Sequence, residues 1–107
     1  MVKKALDDEY FMGLAIQEAK KAKGPKRFGA VIVKDGKVIA CGHNTTYETN
    51  DPVSCSGINA IMGASKKLKS RMLAECTIYE TGEPCLMCAG ASLKARISRF
   101  VVGFSHD

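Results

Sequence analysis

Alternating helical and strand periodicities predict an α/β fold with a mixed sheet, formed as a single domain over residues 1–107. Three observations carry that prediction. The Asp35-Gly36 dipeptide separates two apolar runs rich in β-branched residues, the strongest short-range signal for a hairpin. Later strand–helix–strand stretches need crossover connections, which are right-handed and set strands parallel. At 107 residues, with 46% hydrophobic and 25% charged side chains, the chain has the size and composition of one globular unit with a modest core.

The first element is an amphipathic helix over 6–23. Leu6, Tyr10, Phe11, Leu14, Ala15, Ala19 and Ala22 recur at helical spacing. Asp7, Asp8 and Glu9 stand at its front and Lys20, Lys21 and Lys23 at its back, the order that complements the macrodipole. Gly24-Pro25 stops it. Residues 29–34 and 37–41 are the hairpin strands, in which Cys41 reads as a buried residue. Residues 42–52 are polar and rich in turn formers, and a loop this long in so small a domain is a candidate for function. A second helix follows over 53–68, with Ile58, Ile61, Met62, Ser65 and Leu68 as its apolar stripe and Lys66, Lys67 and Lys69 facing out. Residues 75–79 form a third strand, 85–95 a third helix and 97–104 a fourth strand. The order is α-β-β-α-β-α-β, without internal repeats or low-complexity segments.

No apolar run approaches the roughly 20 residues that cross a bilayer, so no membrane partner is expected. The N-terminal residues reach Asp7 and Asp8 without an apolar core, so a secretory signal is not expected and the reading is cytoplasmic. There the five cysteines are reduced, metal-bound or buried rather than paired. The net charge of +5, clustered at 20–27, 66–71 and 94–99, suits a phosphate-bearing substrate or a nucleic acid. Few aromatics interleave those clusters, so solvated helix ends are the simpler reading. His43 and His106 read as surface residues, and Cys76 as a small hydrophobe in a strand.

The chemistry concentrates at 79–88, Tyr79-Glu80-Thr81-Gly82-Glu83-Pro84-Cys85-Leu86-Met87-Cys88. A strand ends, a Gly/Pro turn follows, and two cysteines three apart open a helix. Both sulfurs then lie on one face, one turn apart, where unpaired backbone N–H groups favour the thiolate, the metal-binding form. C-x-x-C alone leaves a redox dithiol, half a zinc site and coincidence all open. Cys55, at the start of the second helix, adds a third sulfur and so the count that leaves a fourth tetrahedral position for water.

Asp51-Pro52-Val53-Ser54-Cys55-Ser56-Gly57-Ile58-Asn59-Ala60-Ile61, followed by Glu83-Pro84-Cys85-Leu86-Met87-Cys88, resembles the cytidine/deoxycytidylate deaminase zinc-binding family. Phe28-Gly29-Ala30-Val31-Ile32-Val33, Gly42-His43-Asn44, Asn50-Asp51-Pro52 and Cys76-Thr77-Ile78-Tyr79 are similar to its guanine deaminase and tRNA-adenosine deaminase branch. The resemblance implies a cytidine-deaminase-like three-layer α/β/α fold. It implies one Zn²⁺ per chain, held by Cys55, Cys85 and Cys88, and hydrolytic deamination of a purine or pyrimidine by zinc-bound water. It implies Asn44 as a substrate-binding residue, with Phe28 and Gly29 lining the base pocket; on local grounds alone Asn44 reads as a turn residue. The expected partner is a nucleobase, nucleoside or nucleotide, with tRNA as a further candidate. A homodimer, larger oligomer or hetero-oligomer is also implied.

Two departures qualify that picture. The family's general acid/base Glu falls at Gly57, which has no side chain, and positioned proton transfer is worth about 10²–10⁴-fold. Ser54 and Ser56 are too weakly acidic or basic to replace it. Glu83 matches a Glu that coexists with the shuttle in the family and reads as structural; Glu48, Glu80 and Asp51 rank below it. The resemblance also ends at Ser105-His106-Asp107, where the family continues, so the chain reads as C-terminally truncated with an exposed edge strand. The resulting expectation is a zinc-binding deaminase fold with little or no turnover. The alternatives are a non-catalytic partner subunit or binding module, and a redox dithiol, which would leave Cys55 unexplained.

Overall fold

Asp35 and Gly36 both adopt positive φ, 53° and 75°, so the predicted hairpin closes through a primed two-residue turn whose twist matches its strands. In this computed structural model, which describes residues 3–82 and 85–103, the hairpin joins β1 (Gly29–Lys34) to β2 (Lys37–His43). The two pair antiparallel from Gly29 opposite His43 to Lys34 opposite Lys37, with a register shift between Ile32 and Val33. On the other edge of β1 lies β3 (Cys76–Glu80), antiparallel, and beyond it β4 (Arg99–Val102), parallel to β3. The order β2-β1-β3-β4 makes the sheet mixed, as expected. The crossover from β2 skips over β1, so only the final strand–helix–strand unit joins parallel neighbours.

Strand alternation sorts the core into two faces. Val31, Val33 and Tyr79 point at α1 (Lys3–Ala19), where Phe11 and Ala15 meet them. Ala30, Ile32, Cys76 and Ile78 point the other way, against Ala60 and Ala64 of α3 (Ser56–Leu68), Leu73, and Ala95 at the end of α4 (Leu86–Lys94). The result is the expected three-layer α/β/α arrangement. Ile32, Leu73, Ile78 and Val31 are fully buried, each stabilising the fold by about 1.5–3 kcal/mol.

Several elements differ from the sequence expectation. The first helix ends at Ala19 rather than Lys23, and Tyr10 is exposed, edge-on to Phe11. The loop after β2 contains a one-turn helix, α2 (Thr46–Thr49). On α3 Ile61 and Leu68 pack partly buried against the core as expected, but the fully buried face is Ser56, Gly57, Ala60 and Ala64, and Met62 is exposed. The cause is close approach: a Cβ on Gly42 of β2 would lie 2.5 Å from the Ala60 nitrogen, so only small residues fit between strand and helix. Cys41 lies exposed on edge strand β2, not buried; Cys76 is buried as expected. His43 ends β2 half-buried, with Nδ1 2.8 Å from a Glu18 carboxylate oxygen. Among the described residues β4 pairs with β3 alone and is an open edge. The side chain of Leu6, the residues Glu83 and Pro84, and Phe104, Ser105, His106 and Asp107 lie outside the described residues.

Candidate metal centre and substrate cleft

Cysteine takes the N-cap position of both α3 and α4. Cys55 caps α3 and Cys85 caps α4, each with extended backbone, so each side chain turns back over a helix mouth. The Cys88 backbone N–H donates to Cys85 Sγ at 3.4 Å. Cys88 itself lies buried in the first turn of α4. The Sγ atoms of Cys55, Cys85 and Cys88 all lie within 4.8 Å of one another. Tetrahedral zinc, with Zn–S of about 2.3 Å, spaces its sulfurs roughly 3.8 Å apart, so this donor set fits zinc with small adjustments.

The electrostatics point to the same cation. Backbone N–H donation, from Cys88 first, holds the Cys85 thiol below its usual value. Burial, with the Cys85 sulfur beside it, pushes Cys55 up. Burial and the Glu80 carboxylate push Cys88 up to about 12. One thiol is ready to ionise and two resist, so three thiolates coexist here only around a positive ion.

The sulfurs open into a cleft of about 170 Å³ lined also by Lys26, Phe28, Asn44, Thr46, Tyr47, Ser56, Glu80 and Gly82. Asn44 is buried: its Oδ1 accepts from the Phe28 backbone N–H at 2.7 Å and its Nδ2 donates to the Lys26 carbonyl at 2.9 Å. Those bonds fix the amide and leave one donor and one acceptor site available. Asn59 of α3 ties the loop down, with Nδ2 donating to the His43 carbonyl at 2.8 Å. Gly29 does not line the cleft; its Cα faces the α1 backbone at Ala15 and Ala19, where any side chain would collide.

The three remaining described carboxylates considered from sequence separate clearly. Glu48 is exposed on α2, and Asp51 Oδ1 accepts from the Val53 N–H at 3.1 Å in a local turn. Glu80, ranked low in the sequence, enters the cleft from the end of β3. Its side chain is 4% exposed, and burial pushes its carboxyl up to about 7. Thr46 and Tyr47 were not legible as cleft residues, because α2 lies inside what reads as an irregular loop, and Lys26, just before β1, read only as part of a solvated basic cluster.

Residues 6–104 match the cytidine and deoxycytidylate deaminase zinc-binding region. The chain belongs to this family. It is 40% identical over 95 residues to the tRNA-specific adenosine deaminase of Aquifex aeolicus, covering 87% of this chain and 63% of that protein. It is 47% identical over 98 residues to a chloroplastic tRNA(adenine(34)) deaminase of Arabidopsis thaliana, covering 90% of this chain and 8% of that one. Among solved structures, guanine deaminase from Bacillus subtilis matches with a TM-score of 0.84 at 39% identity, covering 92% of this chain and 64% of that one. A tRNA:A34 deaminase that performs A-to-I editing at the wobble position matches with a TM-score of 0.83 at 40% identity, covering 92% and 77%. The chain thus spans less than two thirds of the Aquifex and Bacillus proteins. Within the family, Cys55, Cys85 and Cys88 are positioned to bind its zinc.

Proposed function

We propose that this chain is a zinc-dependent hydrolase unit that deaminates a nucleobase ring, slowly compared with a relative that carries a carboxylate at position 57. The observation that carries the reading is the convergence of three cysteine sulfurs on the cleft that also holds Asn44 and Phe28. Zinc, when bound by Cys55, Cys85 and Cys88, lowers the pKa of water to near neutrality and so supplies the nucleophile. The reaction joins water oxygen to the amino-bearing ring carbon and releases ammonia. Asn44 is suited to hold the base edge through its free donor and acceptor sites, and Phe28, 39% exposed, to cover its face.

A purine is the favoured ring, supported by the relatives that act on guanine or on tRNA adenosine. Lys26 in the cleft and the net charge of +5 suit a phosphate-bearing form, tRNA included. No described helix is long and apolar enough to cross a membrane, and a cytoplasmic setting remains part of the proposal. Leu86 and Leu93 on α4, 93% and 77% exposed, support an oligomer formed through the helices of the site.

Gly57 favours a second reading, a non-catalytic partner subunit or binding module. Ammonia release from guanine, cytidine, adenosine and a tRNA, measured on zinc-loaded chain, separates the two. Zinc-dependent release supports the enzyme. Its absence from the parent and from every carboxylate-restored variant supports the binding module.

A further inference from the structure

Glu80 Oε2 is a buried side-chain atom without a hydrogen-bond partner, and no other side-chain oxygen or nitrogen among the described residues shares that condition. Its position makes the isolation informative. Cys76, Ile78 and Glu80 alternate onto the same face of β3, toward α3 and α4, and the first two are fully buried there. A residue that merely completed this face would be apolar. A buried carboxylate kept for structure would be paired, because an unmet acceptor costs free energy and nothing in the fold recovers it. The Glu80 carbonyl accepts from the Gly103 N–H at 2.8 Å and the residue is paired with both Ala30 and Val102, so strand register fixes where the side chain starts.

The space it fills is specific. A Cβ on Gly57 would lie inside van der Waals contact of Glu80 Oε2, and 3.1 Å from Cys88 Sγ. The carboxylate therefore occupies the volume in which a side chain at position 57 would begin, beside a metal-ligating sulfur and facing the cleft. Gly57 lies in the first turn of α3, where the helix dipole favours an anion. Position 57 and position 80 share one pocket, and in this chain the carboxylate comes from the strand.

We propose that Glu80 is the proton-transferring carboxylate of this site, a catalytic residue delivered from the end of β3 rather than from the first turn of α3. The inference rests on the deaminase reading above. In the reaction Glu80 takes a proton from the attacking water as the oxygen–carbon bond forms, and passes it to the ring nitrogen. It then takes the second proton from the added hydroxyl and gives it to the amine, which leaves as ammonia as the carbon–nitrogen bond breaks and the carbonyl forms. Water is consumed, ammonia leaves, and Glu80 returns to its starting state without any further reactant.

The test compares the zinc-loaded full chain with Glu80→Gln, Glu80→Val and the exchange Gly57→Glu/Glu80→Val, using guanine, cytidine, adenosine and a tRNA as substrates. Ammonia release, bound zinc and thermal midpoint are read for each. Glu80→Gln lowers turnover about 10²–10⁴-fold with zinc content unchanged. Glu80→Val lowers turnover equally and raises the thermal midpoint, because the unpaired carboxylate is gone. The exchange variant restores turnover. Parental turnover in Glu80→Gln overturns the proposal, as does a lowered midpoint in Glu80→Val. Ammonia from the exchange variant but none from the parent also overturns it, and leaves the deaminase reading standing. Silence from both overturns the deaminase reading and this inference with it.

Discussion

Cys55 and Cys85 cap their helices with nearly the same backbone, φ −77° and ψ 161° against φ −75° and ψ 168°, yet the two mouths differ in what the first turn adds. At α4 the turn supplies a second sulfur, Cys88, whose backbone N–H donates to the first and lowers its pKa. At α3 Cys55 receives no such bond, and the turn presents Ser56 and Gly57, buried and without an ionisable group. One mouth supplies two of the three metal ligands. The other supplies a ligand and a gap, and the gap is filled from a different layer of the fold by Glu80. A family's chemistry can thus be divided between elements by volume: the helix gives up a side chain, and a strand in the adjacent layer uses the space.

Breaking the clamp has the largest effect. Cys88→Ser removes a buried ligand, and elemental analysis should show zinc lost and turnover at background. Cys55→Ser should do the same, whereas a chain that keeps its zinc after that substitution is a dithiol site at α4 alone. Cys41→Ser, on the exposed edge strand, should leave zinc content as in the parent.

The filled gap predicts a pH signature in the metal-free chain. The Glu80 carboxyl is raised from 4.5 to about 7 by burial, so the folded state holds this proton more tightly than the unfolded chain does. Its contribution to stability is fully present below about pH 4.5 and is lost as pH rises through 7. Relative to Glu80→Gln, denaturant unfolding should show a loss of about 3 kcal/mol between pH 4 and pH 8. Parallel pH profiles for the two chains would mean that the carboxylate is solvated.

Gly57→Ala sharpens the shared-volume argument. The added Cβ meets Glu80 Oε2, and overpacking of this kind costs about 1–3 kcal/mol. In a Glu80→Val background the penalty should shrink, so a double-mutant cycle reads the coupling directly. An effect of similar size is expected at the loop. Asn44→Ala leaves the Phe28 N–H and the Lys26 carbonyl without their partner, a cost of about 1–3 kcal/mol by thermal unfolding. Its effect on KM should exceed that on kcat if the amide holds substrate.

What the sequence disclosed follows from which signals are local. The hairpin rests on Asp35-Gly36, whose positive φ values need those residue types, and the helix mouths rest on the cysteines' own spacing. The rotated face of α3 was hidden because it depends on Gly42 approaching Ala60 from another element. The same is true of Tyr47, carried into the cleft by a single turn of helix whose composition resembles a loop. Glu80 was visible as a charged residue just beyond an apolar strand. Its importance was not visible, because the empty space it occupies belongs to Gly57, far away in sequence and adjacent only after folding.

The most direct test of the divided site is a crystal structure of the zinc-loaded chain. The account predicts sulfur ligands from Cys55, Cys85 and Cys88 and a Glu80 carboxylate oxygen within hydrogen-bond reach of the open position on the metal. A Glu80 side chain bound directly to zinc, or turned out of the cleft, would contradict it.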